Sequence, residues 1–253
     1  NSIIVNNKNR IDKQMFTRRG EGEKIVHFHA TDERQEAQWV CQEIIRRIDG
    51  GEAAYSDFAV LFRAAHLSRF IEQALIRANI PYVMWGGVRF FERMEVKDCI
   101  SYLRLVASDD DLAFERVINT PSRKVGKVTL ELITAYASQE GTTLYQALKN
   151  HIEDPKLNRD ALHEFVALIE ECRSRAYSMG VCSMLEYILE KTGLKQEYRD
   201  DNDEQRLENI TELVDSIRLY ESEHTEREQL PLYDYLQDIA LYTNADYRKE
   251  TNK

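Results

Sequence analysis

The sequence lacks the long apolar runs that membrane proteins need. No stretch of its 253 residues approaches the roughly 18 consecutive apolar residues that span a bilayer. Its beginning, residues 1–9, is polar and has no apolar core of the kind found in secretory signal peptides. Because 43% of the residues are hydrophobic, the chain can bury a proper core. We therefore expect a soluble protein without a membrane partner.

Cysteine is also scarce. The four cysteines, Cys41, Cys99, Cys172 and Cys182, are far apart and form no Cys-x-x-Cys pair. Each lies beside apolar neighbours in a helical pattern. This pattern predicts buried, reduced thiols in a cytosolic protein rather than a zinc site or disulfides.

A phosphate-binding loop is missing too. The pattern Gly-x-x-x-x-Gly-Lys-Ser/Thr does not occur, and the pair Gly20 and Gly22 is followed by no Lys-Ser or Lys-Thr. If a nucleotide drives this protein, its main phosphate cradle must therefore lie elsewhere. The sequence indicates no catalytic residue and no metal ligand.

Acidic residues outnumber basic ones, and the formal net charge is −10. The excess lies in the second part of the chain. Residues 1–100 hold 15 Lys+Arg and 14 Asp+Glu, whereas residues 101–253 hold 19 and 30, a net charge of −11. Within this acidic part, residues 116–127 contain four basic side chains and no acidic one. This basic segment is the expected site for an anionic partner, because the distribution of charge matters more than its sum.

The sequence changes character near residues 86–98. Before this point, helical patterns alternate with β-branched or apolar runs at 24–30, 57–63 and 81–85. The order strand, helix, strand, helix, strand predicts a doubly wound sheet. After this point, nearly every apolar residue falls at helical spacing. The predicted fold class is α/β plus all-α, with a partial parallel sheet and flanking helices followed by a mostly helical domain.

Capping residues and apolar spacing predict the individual helices. The first begins at Thr31 or Asp32 and ends at Gly50, and Gly193 is placed to end a later one. The acidic segment 200–204 lacks the glycine of a calcium loop and is interpreted as a solvated loop. Helices are predicted at 67–78, 96–107, 112–119, 128–137, 144–149, 162–176, 181–191, 207–220 and 232–242.

A hinge is predicted between the two parts. Gly86 and Gly87 permit backbone angles that other residues avoid and indicate a turn. A charged run that includes Glu92 and Arg93 then opens the first long helix of the second part.

The first candidate site is the segment 62–69, where the second predicted strand ends. Ligands bind beyond the carboxyl ends of parallel strands, and helix N-termini favour anions. Arg63 is therefore a candidate phosphate ligand, although Arg63 and Arg69 also fit ordinary surface charges. Ser68 and His66 do not indicate a hydrolase, because no nucleophile elbow or third member accompanies them.

The second candidate site is the turn 119–128, which joins two short predicted helices. In this turn Val125 is followed by Gly126, so backbone N–H groups and the next helix N-terminus can approach a phosphate closely. The flanking Lys124 and Lys127 add charge without reading sequence. This is the logic of a helix-hairpin-helix grip on a nucleic-acid backbone, and a plain basic turn is the alternative.

Several segments together resemble the UvrD/PcrA/Rep family of bacterial DNA helicases. They occur in that family's order across essentially the whole chain, so the set is specific. They are residues 58–69, 79–82, 86–93, 95–98, 101–104, 119–123 and 206–210.

The resemblance implies two domains. Residues 1–92 would be an incomplete part of the second RecA-like motor domain, called 2A, and residues 93–253 the helical domain inserted into it, called 2B. It also implies that the chain is a fragment of an ATP-dependent helicase that translocates on single-stranded DNA and unwinds duplex. The helical domain would swivel about the hinge. ATP and Mg²⁺ would be cofactors of the full-length parent and would not bind to this fragment, which we expect to be inactive by itself.

The resemblance also assigns residues by position. Arg63 and Arg89 match positions at which the family's second motor domain holds single-stranded DNA. Lys124 stands where the family often has glycine; this limits backbone approach while adding charge. The residues that match the family's duplex-gripping hairpin are Thr120, Ser122, Arg123, Lys124, Val125, Gly126 and Lys127.

The partners implied are a DNA junction, the remaining motor domains of the parent and a possible repair protein. The location implied is the bacterial cytoplasm, at the nucleoid. A different hypothesis is that the acidic helical half is a protein-interaction or autoinhibitory module without DNA affinity of its own. A recombination nuclease-helicase is a weaker alternative, because the chain has no nuclease carboxylate cluster.

Overall fold

The structure is a computed structural model that describes residues 22–62, 67–85, 88–224 and 232–244. Short 3₁₀ turns occur at Tyr55–Asp57 and Phe90–Glu92. The helices are α1 (Glu33–Asp49), α2 (Ser68–Arg77), α3 (Met94–Ala107), α4 (Asp111–Val117), α5 (Lys127–Glu140), α6 (Leu144–Asn150), α7 (Asp160–Arg175), α8 (Val181–Thr192), α9 (Leu194–Asp200), α10 (Glu204–Glu223) and α11 (Leu232–Asn244).

Local sequence explains where several helices begin and end. The Asp32 carboxylate accepts the N–H of Gln35 at 2.8 Å and caps α1, as predicted. Gly193 has a φ of +71° and ends α8 in the left-handed conformation that glycine adopts readily, which confirms that prediction as well. Helix α9 was not predicted, and Asp203, read as part of a loop, is the N-cap of α10.

Helix α3 is the centre of the larger hydrophobic core. It packs against α4, α7, α8, α10 and α11. Tyr102, Leu103 and Leu105 are fully buried on it, because apolar residues lie on more than one face of the helix. The rings of Phe114 on α4 and Phe165 on α7 meet edge to face with centroids 6.2 Å apart and fill the space beside α3.

A smaller hydrophobic cluster lies before α3. It joins α1 to α2 through Cys41, Ile44, Leu75 and Ile80. The larger cluster draws its buried members from the stretch between Phe90 and Ile239. The core of the described chain is thus divided near the start of α3.

The prediction of a partial RecA-like parallel sheet is wrong for the described residues, whose regular elements are all helical and which contain no β-strand. The described parts of the three predicted strands have no regular secondary structure apart from the 3₁₀ turn, and side chains such as Ile25 (98% exposed), Leu61 (93%) and Trp85 (91%) face solvent. A strand is stabilised by backbone hydrogen bonds to a neighbouring strand. The alternation of apolar residues indicates which side chains could be buried but supplies no such neighbour.

The expectation that the thiols are buried is confirmed. All four cysteines lie in described segments, and each is buried and free. Burial raises the pKa of each thiol, for example that of Cys172 to about 11, so these groups stay protonated and unreactive near neutral pH. Among the described helices, none is long and apolar enough to cross a membrane.

Candidate nucleic-acid interface

The turn between α4 and α5 is held by one side chain at its base. The Asn119 Oδ1 atom accepts the backbone N–H of Arg123 at 2.8 Å and that of Val125 at 3.0 Å. Val125 is buried in the larger core, which fixes the far side of the turn. Lys124, between these two anchored residues, has a φ of +56°. The turn therefore has a defined shape with Lys124 at its exposed tip.

Arg123 points into the protein rather than outward. Its Nη1 atom donates to backbone carbonyl oxygens between 3.0 and 3.3 Å away, and its Nη2 atom donates to the Tyr102 hydroxyl at 2.8 Å. The guanidinium also lies 4.8 Å from the centroid of the Phe165 ring. The carbonyls belong to Val117, Ile118, Thr120 and Pro121. Arg123 thus binds the carbonyls at the end of α4 and organises the turn from inside.

Tyr102 completes this internal network. Its hydroxyl donates to the carbonyl of Thr120 and accepts from Arg123. Burial raises the pKa of Tyr102 to about 12, so the hydroxyl remains a donor at neutral pH. Thr120 is half-buried and donates through Oγ1 to the carbonyl of Arg116 at 3.1 Å. The inward members of the predicted duplex-binding set therefore maintain the shape of the turn.

The remaining predicted residues face solvent. Ser122, Lys124, Gly126 and Lys127 are exposed, and the Lys127 side chain is 89% exposed. The Lys127 Nζ atom lies 3.7 Å from the Glu131 carboxylate, one helical turn further along α5. Such an exposed ion pair is worth little, so Lys127 can exchange it for another anion at small cost.

Helix α5 begins at this surface. Gly126 is its N-cap, and no described side chain caps its first turn. Backbone N–H groups at a helix N-terminus carry a partial positive charge and bind anions. Gly126 has a φ of −93°, and a Cβ atom built on it would meet none of the described atoms within 4 Å. The protein's own packing does not require glycine here, so the space beside it is open to a partner.

Arg159 also lies in this region, and its role there was not predicted from the sequence. It precedes α7, and its guanidinium donates to the carbonyl of Lys124 at 3.0 Å, to the Thr129 hydroxyl at 3.0 Å and to the carbonyl of Lys156 at 3.2 Å. Arg159 follows Lys124 by 35 residues. No periodicity or motif in the sequence signals a contact over that separation.

The structure describes only one of the two predicted single-strand residues. Arg63 lies outside the described residues. Arg89 is half-buried and immediately precedes the 3₁₀ turn Phe90–Glu92.

The predicted hinge residues are partly described. Gly86 and Gly87 lie outside the described residues. Glu92 forms an ion pair with Lys97 on the first turns of α3. Arg93, only 8% exposed, donates to Ser68 Oγ at 3.2 Å on α2 and to Asn209 Oδ1 at 2.5 Å on α10.

Further buried polar contacts lie beside Arg93. The Arg69 Nε atom on α2 lies 2.8 Å from a Glu212 carboxylate oxygen on α10. The Glu72 carboxylate on α2 accepts the backbone N–H of Phe90, and Asn209 donates to Glu95 on α3. Arg93 and these residues form a polar junction that joins α2, α3 and α10.

Comparison with known proteins gives the chain its class. The family model for the UvrD-like helicase C-terminal domain matches residues 1–253, the whole chain. The protein belongs to this family, and the resemblance seen in its sequence segments is confirmed.

Individual relatives agree with this assignment. The chain is 35% identical over 248 residues to DNA helicase II of Escherichia coli, covering 95% of the chain and 34% of that protein. It is equally similar to DNA helicase II of Salmonella typhimurium. It is 34% identical over 253 residues to the ATP-dependent DNA helicase PcrA of Staphylococcus aureus, covering 97% of the chain and 34% of that protein. The chain thus spans about a third of the length of these relatives.

Proposed function

We propose that this chain is part of an ATP-dependent DNA helicase that translocates on single-stranded DNA and separates duplex in repair or replication. The relatives named as DNA helicases support this proposal. In it, residues 1–92 contribute to the second motor domain and residues 93–253 form a helical domain that swivels about residues 86–98. The division of the hydrophobic core near the start of α3 supports this assignment. The parent would act on DNA at the bacterial nucleoid.

The function proposed for the helical domain is to hold the duplex through the turn 119–128. The observation that carries this proposal is the surface formed by Lys124, Lys127 and the first turn of α5 beside Gly126. Its charge and N–H groups suit phosphate oxygens, which give affinity and position without reading bases. Arg63 and Arg89 are proposed to contact the single strand.

ATP and Mg²⁺ are assigned to other parts of the parent. The residues of this chain do not fit such a site, because the sequence has no phosphate-binding loop. Within the described ranges, no group of three His, Cys, Asp or Glu is arranged to hold a metal ion. We expect a pure sample of the chain to hydrolyse no ATP with or without DNA, and measurable turnover would contradict this assignment.

The duplex proposal is tested by fluorescence anisotropy with a duplex that bears a single-stranded tail, over a salt series. We expect the double variant Lys124→Ala/Lys127→Ala to bind more weakly, with a salt slope shallower by about two phosphate contacts. Lys191→Ala/Arg199→Ala on α8 and α9 removes the same charge and should leave the slope unchanged.

Each alternative outcome is informative. An equal loss of duplex affinity in the two double variants would show that total charge, rather than the turn, governs binding. No binding by the wild type at low salt would contradict the duplex proposal.

A second candidate function is a protein-interaction or autoinhibitory module, which the net charge of −11 over residues 101–253 favours. An acidic surface of this kind would dock on a basic partner or on the parent's own motor core. This function predicts salt-sensitive binding to such a partner by a chain that binds no DNA.

A further inference from the structure

The tip of the turn 119–128 has a backbone conformation that its own residue disfavours. Lys124 has a φ of +56°, in the left-handed region. A side chain with a Cβ atom is crowded there, whereas glycine adopts this region about as readily as the right-handed one. Contacts from the rest of the protein must therefore hold Lys124 in place.

Two side chains provide these contacts. Asn119 accepts the N–H groups of Arg123 and Val125, on both sides of the tip, and it lies within the turn itself. Arg159 donates from outside the turn to the carbonyl of Lys124 at 3.0 Å. Arg159 therefore links the tip to a separate part of the chain.

The same guanidinium also binds the beginning of α5. Its Nη2 atom donates to the Thr129 hydroxyl at 3.0 Å and to the carbonyl of Lys156 at 3.2 Å. One planar group thus fixes the tip, the first turn of α5 and the segment before α7 relative to one another. The guanidinium donates to two backbone carbonyl oxygens and one hydroxyl oxygen, all of them uncharged. These hydrogen bonds therefore do not neutralise the positive charge of Arg159.

We propose that Arg159 is a positioning residue for duplex binding: it holds Lys124 in the left-handed conformation and keeps the turn in its binding shape before DNA arrives. This inference rests on the proposed function. A turn already held in its bound shape loses less conformational freedom when it binds, so affinity is higher. Arg159 holds Lys124 in a backbone conformation that a glycine at position 124 would adopt without such a contact.

The test compares Arg159→Lys in two backgrounds by duplex anisotropy. Lysine keeps the charge but cannot reach several acceptors with a planar fork. With Lys124 present, we expect roughly five- to tenfold weaker duplex binding, as for the loss of one or two hydrogen bonds, and an unchanged salt slope. In the Lys124→Gly background we expect less than a twofold change, because glycine needs no restraint to adopt a positive φ.

Arg159→Gln separates positioning from direct contact. If Arg159 only positions the turn, the salt slope of this variant stays close to that of the wild type. A slope lower by about one phosphate contact, with wild-type affinity in Arg159→Lys, would show that Arg159 binds phosphate itself and would overturn the proposal. An equal loss of duplex affinity on Arg159→Lys in the two backgrounds would also overturn the proposal, because Arg159 would then not act through Lys124.

Hydrogen exchange of the N–H groups of Arg123 and Val125 gives a readout that does not need DNA. Arg159→Lys should accelerate their exchange in the Lys124 protein and much less in the Lys124→Gly protein, with the midpoint of thermal unfolding nearly unchanged. If the wild type binds no duplex, the proposed function fails and the positioning role in DNA binding fails with it. Unchanged exchange with intact duplex binding would overturn this inference alone.

Discussion

Residues of one basic segment have opposite orientations in this structure. Arg123 and Lys124 are adjacent, yet Arg123 binds carbonyls inside the turn and Lys124 faces solvent. Replacing Arg123 should therefore lower stability, whereas replacing Lys124 should weaken duplex binding, although each substitution removes one positive charge.

Arg123→Ala should destabilise the protein by about 1–3 kcal/mol, because it removes the donor to the part-buried carbonyls of Ile118 and Pro121 and to the Tyr102 hydroxyl. Lys124→Ala is the matched control and should change the free energy of unfolding by no more than about 0.5 kcal/mol. Urea denaturation of both variants measures this. Equal stability of the two variants would show that the network around Arg123 contributes nothing.

The two ends of α5 offer a second matched pair. Gly126→Ala should leave stability nearly unchanged, because the backbone angle is ordinary and the added methyl group meets no described atom within 4 Å. It should nevertheless weaken duplex binding, since that methyl group stands where a phosphate would approach. Gly141 ends the same helix with a φ of +62°.

Gly141→Ala should cost about 1 kcal/mol or more of stability and leave duplex binding unaltered. Thermal unfolding and anisotropy on both glycine variants distinguish the two roles. Loss of binding in Gly141→Ala at temperatures where it remains folded would count against the assignment of the DNA surface to the other end of α5.

At the scale of elements, α2, α3 and α10 meet through polar side chains. Arg93 bonds to Ser68 on α2 and to Asn209 on α10. Removing either Arg93 or Asn209 takes from the other residue one of its buried hydrogen-bond partners. A double-mutant cycle of Arg93→Ala and Asn209→Ala should therefore give a coupling energy of about 0.5–3 kcal/mol by urea denaturation. Additive effects within about 0.3 kcal/mol would contradict a direct role for this bond.

The junction also predicts a pH dependence. Burial raises the pKa of Glu72 above its usual value of 4.5. The folded protein therefore binds this proton more tightly than the unfolded chain does. The stability that Glu72 contributes is present below pH 4.5 and is lost as the pH rises through the raised pKa.

Glu72→Gln cannot ionise but can still accept the N–H of Phe90. Its stability relative to the wild type should increase as the pH is raised from about 4.5 to about 7. Parallel profiles for Glu72→Gln and the wild type would refute the prediction.

Elements that local interactions determine could be predicted from the sequence. Apolar spacing and caps such as Asp32 and Gly193 act within one or two helical turns, so the long helices could be predicted. The sheet prediction failed because a strand depends on a neighbouring strand that the local pattern does not specify. Helix α9 was missed since its end lies in the acidic segment 200–204, which reads as a loop.

The candidate site could be predicted in position but not in detail. The basic segment and its glycine made the turn 119–128 a candidate, with a plain basic turn as the alternative, and the family resemblance favoured the duplex-binding interpretation. The inward orientation of Arg123 depends on Tyr102 and Phe165, and the contact of Arg159 with Lys124 spans 35 residues. Such contacts arise from tertiary packing, which spacing along the chain does not encode.

At the scale of the whole molecule, the acidic excess and the basic turn serve different purposes in the proposed function. In that proposal, the net charge of −11 over residues 101–253 would repel DNA from most of the helical part, while the basic residues within 116–127 would attract it. Such a distribution would orient the duplex on one surface. Position 124, rather than another exposed position such as Lys191, should therefore touch the duplex.

Crosslinking from a single introduced thiol tests that contact most directly. The native cysteines are buried and their thiol pKa values are raised, so a photocrosslinker should attach selectively to the exposed thiol of Lys124→Cys. With a tailed duplex, Lys124→Cys should crosslink to the double-stranded part, and Lys191→Cys should give little product. Crosslinks mainly to the single-stranded tail, or equal yields from the two positions, would contradict the assignment of the turn 119–128 to duplex binding.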